Sequence, residues 1–455
     1  MQIDEQDLKT IVDDFEFLIK QRQNAKLRNM LISMHSSDIA EIANRLDDPD
    51  RLYLFELLDA EDASEVILEM DEVNREELVE QMAKERLSEL VDEMDSDDAA
   101  DFVSELDKET QKEVLEKVET EDVREVEELL KHREDTAGGI MALEIVSVPE
   151  DCTVDGAIKE IRQKADEVAE IYNVYIVDHE QKLLGIVPVR DLIIARGNRK
   201  ISEIMDRDFL SVPVTMDQEA VANFARKYDL VSVPVVDEQN RLLGRITIDD
   251  IVDVMEEEAT EDIHKMAGFT DEEEVRERAI LRIVRARIPW LVWGLFGGLI
   301  SASVMVNFES NLKEQIVLAY FVPVIMAMAG NIGIQSSALV VRGLATGEIA
   351  VHDYLSRCGK ELGISVLNGL ILATILFTVV AFGWNDENSN PYQLAFLISS
   401  ALVMVIIIAG LLGSTIPLLL KRLNIDPALA TGPFITTSND IIGLFIYLSI
   451  ATQLL

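Results

Sequence analysis

Across 455 residues there are two cysteines and five histidines. Cys152 and Cys358 cannot build a disulfide framework, and neither has a CxxC partner or a histidine at zinc-ligand spacing, which fits a reducing cytosolic face. His35, His132, His179, His264 and His352 are dispersed, which argues against a histidine-based metal centre. Catalytic signatures are also missing: there is no GxxxxGKS/T phosphate loop, no GxSxG elbow and no HExxH pair, so an enzyme is not expected. The opening MQIDEQDLKTIVDDF has neither the basic n-region nor the apolar h-region of a secretory signal.

Bases are scarce too. The 41 Lys and Arg face 84 Asp and Glu, a net charge of −43, yet the mean hydropathy is +0.13. The two properties belong to different parts of the chain. Arg276 to Leu455 holds 10 acids and 11 bases; taken from the totals, this leaves Met1 to Val275 with 74 acids, 30 bases and a net charge of −44. A polyanion repels nucleic acid and anionic membrane surfaces and attracts cations, so DNA or RNA binding is excluded. The length predicts two to four domains.

The near-neutral part carries apolar runs long enough to cross a hydrocarbon core of ~30 Å. Five are expected, at about 288–307, 315–341, 362–384, 394–420 and 428–454. Arg276, Arg278, Arg282, Arg285 and Arg287 precede the first run, Arg342, Arg357 and Lys360 follow the second, and Lys421 and Arg422 follow the fourth; the opposite side has Lys313 alone. This asymmetry puts the N-terminal half in the cytosol and the C-terminus outside. So few helices build a pathway most economically at a homodimer axis.

The acidic part has a period. Large apolar residues recur every 12 positions, at Met34, Leu46, Leu58, Met70, Met82, Met94, Leu106, Val118 and Leu130, and the next residue is Asp at 47, 59, 71, 95 and 107. A fixed period of this length marks a solenoid of short helices with Asp at the caps. Most of its acids are expected to form a solvated face.

From Gly138 to Met255 one pattern occurs twice. IVSVP recurs as FLSVP, VYIVD ending at Asp178 recurs as VPVVD ending at Asp237, and LLGIVPVRDLI recurs as LLGRITIDDIV, with Asp178 to Asp237 and Gly185 to Gly244 each 59 residues apart. Each unit reads strand, helix, strand, turn, strand, helix, and the pair resembles tandem CBS domains. That resemblance implies a sensing module that takes an adenosine nucleotide, with ATP the candidate and Arg190 and Asp191 facing it; Asn173 stands where an adenine-stacking aromatic is expected. The stretch EEEATEDIHKMAGF follows as an acidic helix leading to the first span.

Within the expected spans one acid lies deep, Asp440 in TGPFITTSND. Twelve residues beyond Ala428, it stands roughly 18 Å along its helix, near the bilayer midplane. An intramembrane carboxylate is by default functional, although it could also cap or bond a neighbouring helix. Thr436, Thr437, Ser438 and Asn439 crowd it with oxygens, a donor set for Mg²⁺, Ca²⁺ or Mn²⁺ rather than zinc. Two copies of Asp440 would hold one divalent ion through its inner waters. Asp426, before Pro427, is either the inner mouth or an N-cap. Asn331, Gln335, Ser336 and Ser337 in AGNIGIQSSA either line the path or let helices pack closely.

Acidic superhelix, CBS pair, EATEDIH helix, five spans, IDPALATGP and TTSND together resemble the MgtE family of magnesium channels. The fold class is then multidomain: an all-α acidic superhelical domain (1–135), an α+β CBS pair (136–200 and 201–256), a linking or plug helix (257–287) and a five-helix membrane domain (288–455). The resemblance implies a homodimeric Mg²⁺ pore in the cytoplasmic membrane that closes when cytosolic Mg²⁺ bridges the acidic domain, CBS pair and linking helix. It places the selectivity carboxylate at Asp440 and the conducting turn at Asp426. It puts the sensor acids at Asp97 and Asp101 (Asp98 being a near-equal choice), Asp217, Glu219, Asp229, Asp250, Asp253, Glu258, Glu261 and Asp262. Ile334 departs from the family, where an amide is expected. Mn²⁺, Co²⁺ and Ca²⁺ are further cargo candidates. Competing readings are a carrier exchanging Mg²⁺ for Na⁺ or protons with broader divalent specificity, a membrane enzyme with a regulatory CBS pair, and a membrane-anchored nucleotide sensor.

Overall fold

In a computed structural model, residues 5–118, 120–165, 168, 170–267, 280–346, 348–349, 354–383, 390–423, 425–430 and 432–454 are described. Arg276, Arg278 and most of the loop after the third span lie outside them. The chain divides into two compact units, Met1–Glu256 and Glu257–Leu455.

The first unit opens with α1 (Glu5–Lys20) and α2 (Asn24–Leu31). There follow α3 (Ser36–Ala43), α4 (Asp48–Leu57), α5 (Ala60–Leu68), α6 (Glu72–Gln81), α7 (Lys84–Asp92), α8 (Ser96–Glu105), α9 (Lys108–Leu115) and α10 (Thr120–Leu129). From α3 on, every helix starts 12 residues after the last. The recurring Asp residues are the N-caps, and those at 59, 71 and 107 accept backbone N–H bonds from the first turn. The apolar residue before each cap is buried or packed on the core, where it anchors the chain's entry into the helix.

The structural repeat is twice the sequence period. Helix α3 packs on α5, α5 on α7 and α7 on α9, while α4 packs on α6 and α8 on α10. Odd helices end through a right-handed helical C-cap, at Asn44, Glu69, Glu93 and Glu116, whereas α4, α6 and α8 end abruptly in extended Leu58, Met82 and Leu106. Arg51 and Arg86 tie the two kinds together. Buried Arg51 donates to the carbonyls of Ala43 (3.0 Å) and Leu46 (2.9 Å), and Arg86 to those of Leu58 and Asp59, both at 2.9 Å. The Leu46 and Leu58 carbonyls lie between helices, outside any helical ladder, and the arginines give them donors.

Two sheets of identical topology follow. In the first, β1 (Ser147–Pro149) runs parallel to β2 (Asn173–Val177), which is antiparallel to β3 (Leu183–Pro188); α11 (Val154–Gln163) connects the first two strands and α12 (Val189–Ile194) follows the third. The second repeats this with β4 (Val212–Pro213), α13 (Gln218–Tyr228), β5 (Ser232–Val236), β6 (Leu242–Thr247) and α14 (Ile248–Ala267). The paired aspartates have turn duties. Asp178 accepts from the N–H groups of Glu180 and Lys182, Asp237 from those of Gln239 and Arg241, all at 2.8 to 2.9 Å. The two hairpin tips bond each other through Leu183 N–H to Asn240 and Leu242 N–H to Gln181. The acidic linking segment does not begin a new element: it is the second half of α14, which leaves β6 directly.

The second unit is helical. Among the described residues five helices are long and apolar enough to cross a membrane: Arg287–Asn307, Val317–Ala345, Ser356–Gly383, Pro391–Arg422 and Pro433–Gln453. They belong to α15 (Ile280–Asn307), α17 (Val317–Ala345), α18 (Tyr354–Gly383), α19 (Pro391–Arg422) and α20 (Pro433–Leu454), with the short α16 (Glu309–Glu314) between the first two. Helix α19 is central, packing on α17, α18 and α20, and α15 lies against α20. The last span starts later than expected because Pro427–Ala430 forms a separate 3-10 turn. The third starts earlier, and this corrects the expectation that Asp440 is the one acid deep in a span. Helix α18 carries Glu361, 3% exposed, into the helix bundle. An apolar window stops at Leu362 because Lys360 and Glu361 are charged, whereas the fold buries one of those charges.

Candidate ion pathway and acidic sites

Asp440 stands half-buried in the second turn of α20. Its neighbours fix α20 against α17 at glycines. A Cβ on Gly333 would lie 1.9 Å from the Asn439 amide nitrogen and 2.8 Å from Ile435, so the helices approach this closely because residue 333 has no side chain. Asn439 is 2% exposed and its amide donates to the Ala329 carbonyl at 3.3 Å, so it lies in the α17–α20 seam rather than on an accessible wall. Farther along, the Tyr447 hydroxyl donates to the Leu318 carbonyl at 2.9 Å, a second bolt between these helices. Thr436 donates to Gly432 O one turn back, and the Thr437 methyl packs where a side chain on Gly297 of α15 would stand. Asn331 and Gln335, one turn apart on α17, are both exposed, as is Ile334 between them.

Asp426 divides its two oxygens. Oδ1 accepts from the Ala428 N–H at 2.8 Å, capping the 3-10 turn, and Oδ2 accepts from Lys265 of α14 at 2.6 Å. Lys265 also pairs with Glu261. Burial acts to lower the Lys265 pKa, but bonds to Asp426 and Glu261 outweigh it and raise it. Glu258, Glu261 and Asp262 fall on one face of α14, at helical spacing.

In the first unit, sequence-distant acids crowd together. Asp95, Asp97 and Asp98 open α8, and Asp250 lies in the first turn of α14. Asp97 is 8% exposed; burial, then the charge of Asp250, hold its carboxyl well above the usual range. The same two causes push Asp98 up to about 7, with Asp101 among the smaller ones. Burial and Glu144 raise Asp95 to about 6, and burial raises Asp250 to about 6 despite two bonds from Thr247, at 2.9 Å from its N–H and 2.7 Å from its hydroxyl. Burial and Glu69 raise Asp253. Glu144 in turn takes both the N–H and hydroxyl of Ser96 at 2.9 Å, fixing the start of α8.

Thus Asp250 acts electrostatically on Asp97 and Asp98, and Asp101 on Asp98. Asp95, Glu69, Glu144 and Asp249, which sequence reasoning passed over, belong with them. The cap signal at Asp95 was legible; its proximity to α14 was not. Asp217 and Asp229 stand apart at the two ends of α13, the first as N-cap bonding Ala220 N–H, the second as C-cap at φ 54°, and Glu219 lies in the first turn of the same helix. Among the described residues no three His, Cys, Asp or Glu side chains converge on one point as metal ligands.

In the first CBS unit Asn173 opens β2 opposite Pro188, and exposed Arg190 and Asp191 begin the helix after it. All three therefore gather at one sheet end, where the Val189 N–H bonds Tyr172 O. The aromatic ring sought at Asn173 stands one residue earlier, at Tyr172.

Family models match along most of the chain: the divalent cation transporter model MgtE at 322–450, the MgtE intracellular N domain at 34–135, and the CBS domain at 137–198 and 201–257. The magnesium transporter MgtE of Thermus thermophilus is 39% identical over 332 residues, 73% of this chain and 72% of the relative. This chain belongs to the MgtE family. The MgtE of Enterococcus faecalis is 40% identical over 331 residues, 72% of this chain and 71% of that one. The crystallised cytosolic domain of the Mg²⁺ channel MgtE in complex with ATP superposes with a TM-score of 0.52 at 31% identity, over 53% of this chain and 99% of that one. MgtE is a family of magnesium transporters and not of enzymes; this chain is a membrane transporter with five apolar helices and a soluble, cytosolic-type N-terminal part.

Proposed function

We propose that two copies of this chain form a Mg²⁺-selective channel for uptake across the cytoplasmic membrane, with Asp440 of each copy facing the other and Asn331, Gln335, Thr436 and Thr437 along the path. Asn439 serves this site by positioning α20. The observation that carries the reading is the polar face of α17. Asn331 and Gln335 are exposed at bilayer depth in a single copy, and amides there need water or a second copy beside them. Asp426 is the cytosolic mouth, and the N-terminal half is cytosolic with the C-terminus outside.

Closure by cytosolic Mg²⁺ follows from the crowded acids. Asp250 repels Asp97 and Asp98, and Asp101 repels Asp98; a cation that binds these acids relieves the repulsion, and Asp217, Glu219, Asp229, Asp253, Glu258, Glu261 and Asp262 supply further sites. Each weak site adds RT ln(1 + [L]/Kd) to the closed form, so several suffice for a switch. Asn173, Arg190 and Asp191, with Tyr172 beside them, are the nucleotide site, and ATP is its ligand. Proteoliposomes loaded with a Mg²⁺ indicator test the pathway: Asp440→Ala should abolish flux while the dimer still assembles, and robust flux would sink the assignment. Joint neutralisation of Asp250, Glu258 and Asp262 should leave currents insensitive to cytosolic Mg²⁺.

A further inference from the structure

Helices α17, α18 and α19 meet at a polar point inside the membrane unit that plays no part in the pathway above. Glu361 of α18 is 3% exposed, and its Oε1 accepts from the Ser336 hydroxyl of α17 at 2.5 Å. Its second oxygen has no partner, and neither has the hydroxyl of Ser365, one turn along α18 and 1% exposed. Two glycines of α19 make room for these groups. A Cβ on Gly410 would lie 2.2 Å from the Ser365 hydroxyl, and one on Gly413 would lie 2.5 Å from the Gly333 carbonyl and 3.1 Å from Ser336 Cβ.

A buried carboxylate without a counter-charge is costly, and orphaned buried oxygens call for an unseen partner. Among the described residues no cation pairs with Glu361; Arg357, one turn earlier on α18, forms no ion pair with it and has its own Nε unpartnered. We propose that Glu361, Ser336 and Ser365 bind one dehydrated monovalent cation, with Na⁺ the physiological occupant. One carboxylate balances one positive charge. Divalent Mg²⁺ would leave an excess charge beside Arg357 in a low-dielectric interior, and it dehydrates reluctantly. The donors are hard oxygens: the free Oε2, the Ser365 hydroxyl and the lone pairs of Ser336, whose hydrogen is committed to Oε1. Through Ser336, whose helix also packs on the Asp440 helix at Gly333, the bound ion would brace α17.

Full-length protein in nanodiscs tests this without Mg²⁺. NaCl is titrated against choline chloride at constant ionic strength, while amide exchange in α17 to α19 and the unfolding temperature are followed. Saturable protection by Na⁺ is expected. Glu361→Gln and Ser365→Ala should each weaken it about tenfold or more, whereas Asp440→Asn should keep it while losing Mg²⁺ flux. The absence of saturation in the native protein, or an equal response in both variants, overturns the site. So does protection that appears on acidification and does not depend on Na⁺, since the carboxylate then carries a proton. Should Glu361→Gln fail to fold, Ser365→Ala and Gly410→Ala decide the question.

Discussion

Arg51 and Asp97 show how differently the helical array houses opposite charges. Arg51 is buried where it donates to the Ala43 and Leu46 carbonyls, and its charge is met by Asp48 at 3.2 Å and Glu77 at 3.8 Å. Replacing it with Ala takes the donor from the Leu46 carbonyl and the cation from Asp48 and Glu77, and should cost about 3 kcal/mol of local stability, read as faster amide exchange through α3 to α6. Asp97 is buried among like charges. Because Asp95, Asp97, Asp98 and Asp250 all hold their protons more tightly folded than unfolded, folding takes up protons. The stability they contribute is present in full below about pH 4, the ordinary carboxylate pKa, and is lost as pH rises through about 6 to 7. In metal-free buffer, exchange protection of α8 and the first turns of α14 should therefore fall between pH 5 and pH 8. Mg²⁺ should restore it at pH 8 and change it little at pH 5; equal restoration at both would show that these carboxylates are not where the ion acts.

At the scale of elements, caps and glycines decide the geometry. Asp59, Asp71 and Asp107 bond the first turns they precede, but Asp47 and Asp95 make no such bond. Thermal unfolding should show a cost of about 1 kcal/mol for Ala at each of the first three and a few tenths at Asp47; Ala at Asp95 should stabilise at neutral pH by removing a crowded charge. In the membrane unit, Gly333→Ala would drive a methyl group into the Asn439 amide and should cost about 1 to 3 kcal/mol by overpacking, with a loss of Mg²⁺ flux. Adding Asn439→Ala should recover part of that stability, a coupling that a double-mutant cycle measures. Caps and spans were legible because each depends on residues adjacent in sequence. The burial of Glu361 was not, since it requires Ser336 of another helix and glycines of a third to meet it. Nor was the carboxylate crowd at Asp97, which joins residues more than 150 positions apart.

For the whole molecule, the order of parts was the most legible property, because solenoid, CBS pair and spans differ in period and hydropathy. The proposed topology rests on a handful of arginines and lysines, and it can be checked directly. With Cys152 and Cys358 replaced by Ser, a cysteine appended after Leu455 should react with an impermeant maleimide on intact cells, whereas one placed at Glu238 should react only after lysis. The alternation of helix ends in α3 to α9 has a consequence of its own. Sequence spacing repeats every 12 residues, but packing and termination repeat every 24, so the array has a phase, as a message has a reading frame. Excising 24 residues, such as 60–83, should rejoin like to like and leave a shorter array that still folds. Excising 12 should set odd helices in even places, bring Arg75 to positions built for Ala63, and scramble every contact downstream of the cut.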